Sequence, residues 1–158
     1  MAAAGAAVLL LAPLPAAAGC WQEREAAAAG LREMQTMLMV ATLRCRSAGM
    51  DISDEYNAFV VAHRRTLDSA NIVIRRHFIV TGAAPGAYDR FATTIANAYG
   101  HASTTIGDCA EAGMLARKSA GAAPATLVGI AAARLHSSPL PEGRCPTTLP
   151  RTQLTFAR

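Results

Sequence analysis

Four arginines, Arg64, Arg65, Arg75 and Arg76, are the residues of this chain best suited to recognise a ligand. A guanidinium is a planar fork of N–H donors that pairs bidentately with carboxylate or phosphate. The two pairs are offset by eleven residues, about three helical turns, so on a helix they stack along one side. Such a stripe suits an anionic lipid headgroup, an acidic glycan or a carboxylate. Asp68 lies three and four residues after Arg65 and Arg64 and is placed to pair with both, so a merely solvated face competes with the binding reading.

The histidines offer less. His63 and His77 are 14 residues apart, about 21 Å along a helix, too far for one metal ion. They read as buried or boundary histidines with hydrogen-bond partners, and His101 and His136 as loop or helix-end residues. A hydrolase with an unconventional site would need His63 or His77 to meet a carboxylate such as Asp68 or Asp89. The chain has no Gly-x-Ser-x-Gly elbow, no His-Glu-x-x-His, no phosphate-binding glycine loop and no calcium loop. No catalytic residue, metal ligand or cofactor is therefore assigned.

The four cysteines, Cys20, Cys45, Cys109 and Cys145, take their meaning from the N-terminus. Residues 2–19 carry no charge, run apolar from Ala7 to Pro15 and end in Ala16-Ala17-Ala18-Gly19. This is an apolar segment followed by an Ala-x-Ala cleavage site, the form of an export signal. It is too short and too proline-broken to span a bilayer of about 30 Å. No Lys or Arg precedes it, which leaves the position of the true start open. Cleavage after Ala18 gives a mature chain starting Gly19-Cys20-Trp21. Ala17-Ala18-Gly19-Cys20 also loosely resembles a lipoprotein box, and lipidation of Cys20 would attach the protein to a membrane. An even number of cysteines in an oxidising compartment reads as two disulfides. Lipidation would leave one thiol over, so the arithmetic favours simple export to the periplasm or beyond. No Cys-x-x-Cys is present, which weakens redox and zinc readings.

The elements that must position these residues are helices. Hydrophobic residues make up 52% of the 158-residue chain and aromatics 5%, the net charge is +4, and the apolar content is mostly Ala, Leu, Met and Val. That suits one helical domain. All but one of the basic residues are Arg, with Lys118 the exception, a bias that a GC-rich genome produces unaided. A first helix is expected over 21–46, its face carrying Leu31, Met34, Leu38, Ala41 and Cys45. Met34, Met37, Met39 and Trp21 are expected in its core packing. A long second helix is expected over 53–78, capped by Ser53, with Tyr56, Phe59, His63, Leu67, Ile74 and Phe78 on its apolar face. Val61 and Ile72 face away from that stripe, as a central helix would show. Further helices are expected over 87–99, over 106–118 with Thr104 or Thr105 as cap, and over 125–135 after Pro124. Residues 137–158 hold four prolines and read as an extended tail tied down through Cys145, with a short strand conceivable only over 152–156.

The resulting domain plan is a signal peptide at 1–18, a helical domain at 19–136 and the tail at 137–158. The fold class is all-α, an antiparallel bundle of four to five helices stapled by two disulfides. In an up-down bundle the end of the first helix meets the start of the helix at 106, which pairs Cys45 with Cys109 and leaves Cys20 with Cys145.

Cys20-Trp21, the run Leu38-Met39-Val40-Ala41-Thr42-Leu43-Arg44-Cys45-Arg46, Tyr56-Asn57-Ala58-Phe59, Ala96-Asn97-Ala98-Tyr99-Gly100 and Gly143-Arg144-Cys145-Pro146 carry a resemblance. On them the chain resembles short exported four-cysteine helical proteins of Gram-negative, chiefly alphaproteobacterial, genomes. The resemblance covers most of the mature chain and implies the architecture, with no established activity. Members sometimes carry the name S-adenosyl-L-homocysteine hydrolase. That NAD-dependent enzyme has a Rossmann fold, whereas this chain has neither the dinucleotide fingerprint nor a parallel-sheet pattern.

The function expected is a non-catalytic module of the cell envelope that binds a protein partner or an anionic envelope component. A membrane enters only if Cys20 is lipidated. Nucleic acid is not expected, because export removes the chain from it and no stacking aromatic is interleaved with the stripe. The alternatives are a small chaperone-like stress protein of the periplasm and the unconventional hydrolase.

Overall fold

The computed structural model describes residues 19–101, 103–134 and 140–146. The apolar N-terminal segment, His136, the 152–156 segment and the proline-rich tail other than 140–146 lie outside the described residues. Six helices follow in order: α1 (Glu23–Ser47), α2 (Ser53–Ala62), α3 (Arg64–Val80), α4 (Ala87–Gly100), α5 (Ile106–Ala120) and α6 (Pro124–Arg134). They form a helical bundle held by the disulfides Cys45–Cys109 and Cys20–Cys145, the pairing expected. No β-strand occurs among the described residues, only an isolated parallel bridge between Trp21 and Arg144.

The bundle is built around α1, not around the 53–78 segment as the sequence pattern suggested. α1 touches all five other helices, most extensively α3 and α6. Its first half is Ala-rich, with Ala26, Ala28, Ala29 and Gly30 all buried. Small side chains on several faces let neighbours approach from several sides without voids. Leu31, Met34 and Leu38 are buried as expected, whereas Met39 is largely outside the core.

The long second helix is in fact two. The break falls at His63, whose φ of −113° and ψ of 18° are not helical. The physical reason is a change of partner: α2 packs mainly on α5, and α3 packs mainly on α1. A straight rod cannot lie along both. His63 is buried, and its Nε2 lies 2.7 Å from the Ser119 carbonyl. That carbonyl belongs to the last turn of α5, where helix carbonyls have no partner within the helix. Ser53 is not the cap of α2. It is the first helical residue, and the Asp51 carboxylate accepts its N–H at 2.9 Å.

The other helix starts follow the sequence closely. Thr105 caps α5, its hydroxyl accepting the Asp108 N–H while the Asp108 carboxylate accepts the Thr105 N–H. Those hydrogen bonds, with Arg44 nearby, hold the Asp108 carboxyl below the usual carboxylate range. Pro124 is the first residue of α6, where its missing N–H costs nothing.

Residues 140–146 form a strap across residues 20–21. The Trp21 N–H donates to the Gly143 carbonyl, the Cys145 N–H to the Trp21 carbonyl, each at 2.9 Å. The Trp21 indole N–H donates to the Pro141 carbonyl, also at 2.9 Å. Trp21 itself is buried, with its ring stacked on His77 at 3.9 Å between centroids and on Phe91 at 5.4 Å.

Candidate functional site: the outer face of α3

α3 buries Leu67, Ala70, Ile74 and His77 against the bundle. That choice of inner face dictates the outer one. At 100° per residue, Arg64 and Arg75 fall together on one flank, and Arg65 and Arg76 fall together opposite the buried face. All four arginines are exposed, and the two pairs are about 16 Å apart along the helix. The expected stripe is therefore present. The expected pairing is not: Asp68 makes no ion pair with Arg64 or Arg65 among the described residues.

One arginine of the stripe is held in place. The Arg75 guanidinium carbon sits 3.8 Å above the Tyr88 ring, a cation–π contact between α3 and α4. Tyr88 is in turn oriented by its hydroxyl, which donates to the Asn71 side-chain carbonyl at 3.1 Å. The chain that fixes Arg75 thus runs Asn71, Tyr88, Arg75. Large apolar side chains share this surface: Ile72, Ile79 and Val80 are exposed by 66%, 77% and 65%. Ile72 was expected to turn away from the main apolar face and does so. The expectation that a neighbouring helix covers it is not met.

The two buried histidines are structural contacts and not partners of the carboxylates suggested by sequence. His63 meets the Ser119 carbonyl. His77 Nδ1 lies 3.0 Å from Glu25 Oε2, under the Trp21 ring. Neither meets Asp68 or Asp89. Glu25 also accepts the Gln22 N–H at 2.9 Å, so one carboxylate serves both the start of α1 and His77. No group of three or more His, Cys, Asp or Glu side chains placed to hold a metal ion occurs among the described residues.

A second feature lies on the opposite side of α1. A groove of about 340 Å³ runs between α1, the end of α4 and the start of α5, with Met37, Val40 and Leu115 among its apolar lining and Arg44, Tyr99 and Glu111 among its polar lining. Arg44 Nη1 donates to the Tyr99 carbonyl at 2.6 Å. The Tyr99 hydroxyl donates to Glu33, also at 2.6 Å. Glu33 is a buried carboxylate. Burial and this carboxylate push the Tyr99 phenol well above its ordinary value.

Sequence reasoning located the arginines but not Tyr88, Glu25 or the Glu33–Tyr99 pair. Each of those contacts joins different helices and leaves no local spacing signal. One signal was available: the 20 residues between Asp68 and Asp89 contain no acidic side chain.

No family model matches this chain, and no curated protein or solved structure matches it. The fold and site define a class and no more: an all-α, doubly disulfide-bonded bundle with an exposed arginine stripe on one helix. The disulfides point to an oxidising compartment. No helix among the described residues is long and apolar enough to cross a membrane.

Proposed function

We propose that this chain is an exported helical module of the cell envelope that binds an anionic envelope component through the outer face of α3. The observation that carries the reading is the stripe itself: Arg64, Arg65, Arg75 and Arg76 are all exposed on one side of one helix, and none is committed to an ion pair among the described residues. Surface arginines neutralised by neighbouring carboxylates would have argued for a solvated face. Export to the periplasm is supported by the apolar start and by the disulfides. Simple export is favoured over a lipid anchor, because Cys20 is bonded to Cys145. The resemblance to exported four-cysteine proteins fits the same picture.

Replacing all four arginines with Gln tests the reading. The variant should keep its helical circular dichroism and leave the envelope fraction for the soluble one. Unchanged association would overturn the ligand assignment.

A second reading, a chaperone-like stress protein, draws on exposed apolar side chains elsewhere: Leu43, Val61, Ile106 and Met114 are each more than half exposed. Failure to suppress aggregation of a client protein at either low or neutral pH would remove it.

A further inference from the structure

We propose that one end of this molecule, formed by the last turn of α3, the loop 81–86 and the first turn of α4, is a docking surface for an anionic lipid bilayer. The inference rests on the proposed envelope-binding role and names the component.

The apex of this end is apolar and uncharged. Ile79 and Val80 are among the most exposed large apolar side chains of the molecule. They lead into Thr81-Gly82-Ala83-Ala84-Pro85-Gly86, a loop without a charge whose residues from Gly82 onward are all exposed. The loop forms a ridge between two surface depressions that share Phe78, Ala83, Ala84 and Ala87, of about 270 and 500 Å³. Each depression carries one arginine: Arg75 in the first and Arg90 in the second. Both guanidinium groups are held before any ligand arrives, Arg75 over Tyr88 and Arg90 by donating to the Pro85 carbonyl at 3.0 Å. Arg76 adds a third cation on the outer side of α3. Two carboxylates oppose them, Asp89 in the first depression and Glu142 in the second.

An apolar tip flanked by three arginines, which outnumber the two carboxylates, matches a bilayer interface. The apolar atoms enter the acyl boundary while arginines meet phosphates at the headgroup level. A soluble polyanion would engage the arginines and leave Ile79, Val80 and the uncharged ridge in water. The acid-free run from Ser69 to Tyr88 removes the charges that an anionic membrane would repel most strongly.

The test is sedimentation of the oxidised protein with phosphatidylcholine vesicles and with vesicles containing about a third phosphatidylglycerol. Binding is expected only to the anionic vesicles and should weaken with salt. Arg75→Gln with Arg76→Gln should weaken it about 30-fold. Ile79→Ser with Val80→Ser should weaken it by more than about tenfold. Arg64→Gln with Arg65→Gln, distant from the tip, should have the smaller effect. These are exposed positions, and circular dichroism verifies that each variant folds. Equal binding to both vesicle types, no binding to either, or full binding by the Ile79→Ser, Val80→Ser variant would overturn the bilayer assignment. If vesicle binding fails while the four-arginine variant still leaves the envelope fraction, the envelope-binding role stands and its ligand is a soluble anion or acidic protein. If that variant stays in the envelope fraction, the role itself falls.

Discussion

His63 is expected to govern stability through a single acceptor, the Ser119 carbonyl. Its Nε2 lies 2.7 Å from that oxygen, and both residues are buried. Either the neutral ring protonated on Nε2 or the imidazolium can donate here. His63→Phe retains an aromatic ring of similar size beside Phe59, whose centroid is 5.8 Å away, and removes only the donor. The carbonyl keeps a second partner, the Ala122 N–H at 3.1 Å, so the loss is that of one net hydrogen bond, about 0.5–1.5 kcal/mol. His63→Ala adds the cavity left by the ring, for a total of about 3–5 kcal/mol. Urea unfolding of the oxidised protein, followed by circular dichroism, measures both. The first variant should shift the midpoint without changing the slope, because the fold is retained. In a heat scan each kcal/mol corresponds to about 2–4 °C at this size. A His63→Phe variant within about 0.5 kcal/mol of the parent would refute the account, and the break would then owe everything to helix packing.

Three further outcomes follow from other contacts. Cys45→Ala with Cys109→Ala opens a cross-link spanning 64 residues and should cost about 2–4 kcal/mol, read as a lowered midpoint in urea. Trp21→Ala removes the ring stacked on His77 and Phe91 and the donor to Pro141; it should cost about 3–5 kcal/mol and speed proteolytic cleavage within residues 140–146 while Cys20–Cys145 remains closed. Tyr99 supplies a pH test. Its phenol is held above the ordinary value of 10.0 by burial and by Glu33, so the folded state keeps its proton when the unfolded state releases it. Stability should be intact below about pH 10 and decline as pH rises from there toward the folded value. Denaturant midpoints from pH 8 upward would show this, and Tyr99→Phe should shrink the decline to the part left by Tyr56, whose phenol burial also raises, while costing about 1–3 kcal/mol at neutral pH by stranding Glu33.

Much of the fold was legible because it is written locally. The starts of α5 and α6 followed from the cap candidates Thr104 and Thr105, of which Thr105 is the cap, and from Pro124, each acting within a few residues. The disulfide pairing followed from chain direction alone, since short connections alternate helix ends. The break at His63 was not legible. Phe59, His63, Leu67, Ile74 and Phe78 keep helical spacing through it, because a bend moves the axis without moving the face. The arginine stripe survived as a pattern for the same reason, being carried entirely within α3.

By itself the sequence determined the all-helical class, the starts of α5 and α6, the four cysteines and the eleven-residue offset that puts four arginines on one side. Those depend on backbone sterics and on helical periodicity, which act over one to three turns. The tertiary structure alone decided that α1 lies at the centre, that α2 and α3 part at His63, that Tyr88 holds Arg75, and that Ile79 and Val80 stand uncovered beside an uncharged loop. Each of these depends on which surfaces meet across many residues of chain, and contacts of that range leave no periodicity for one sequence to display.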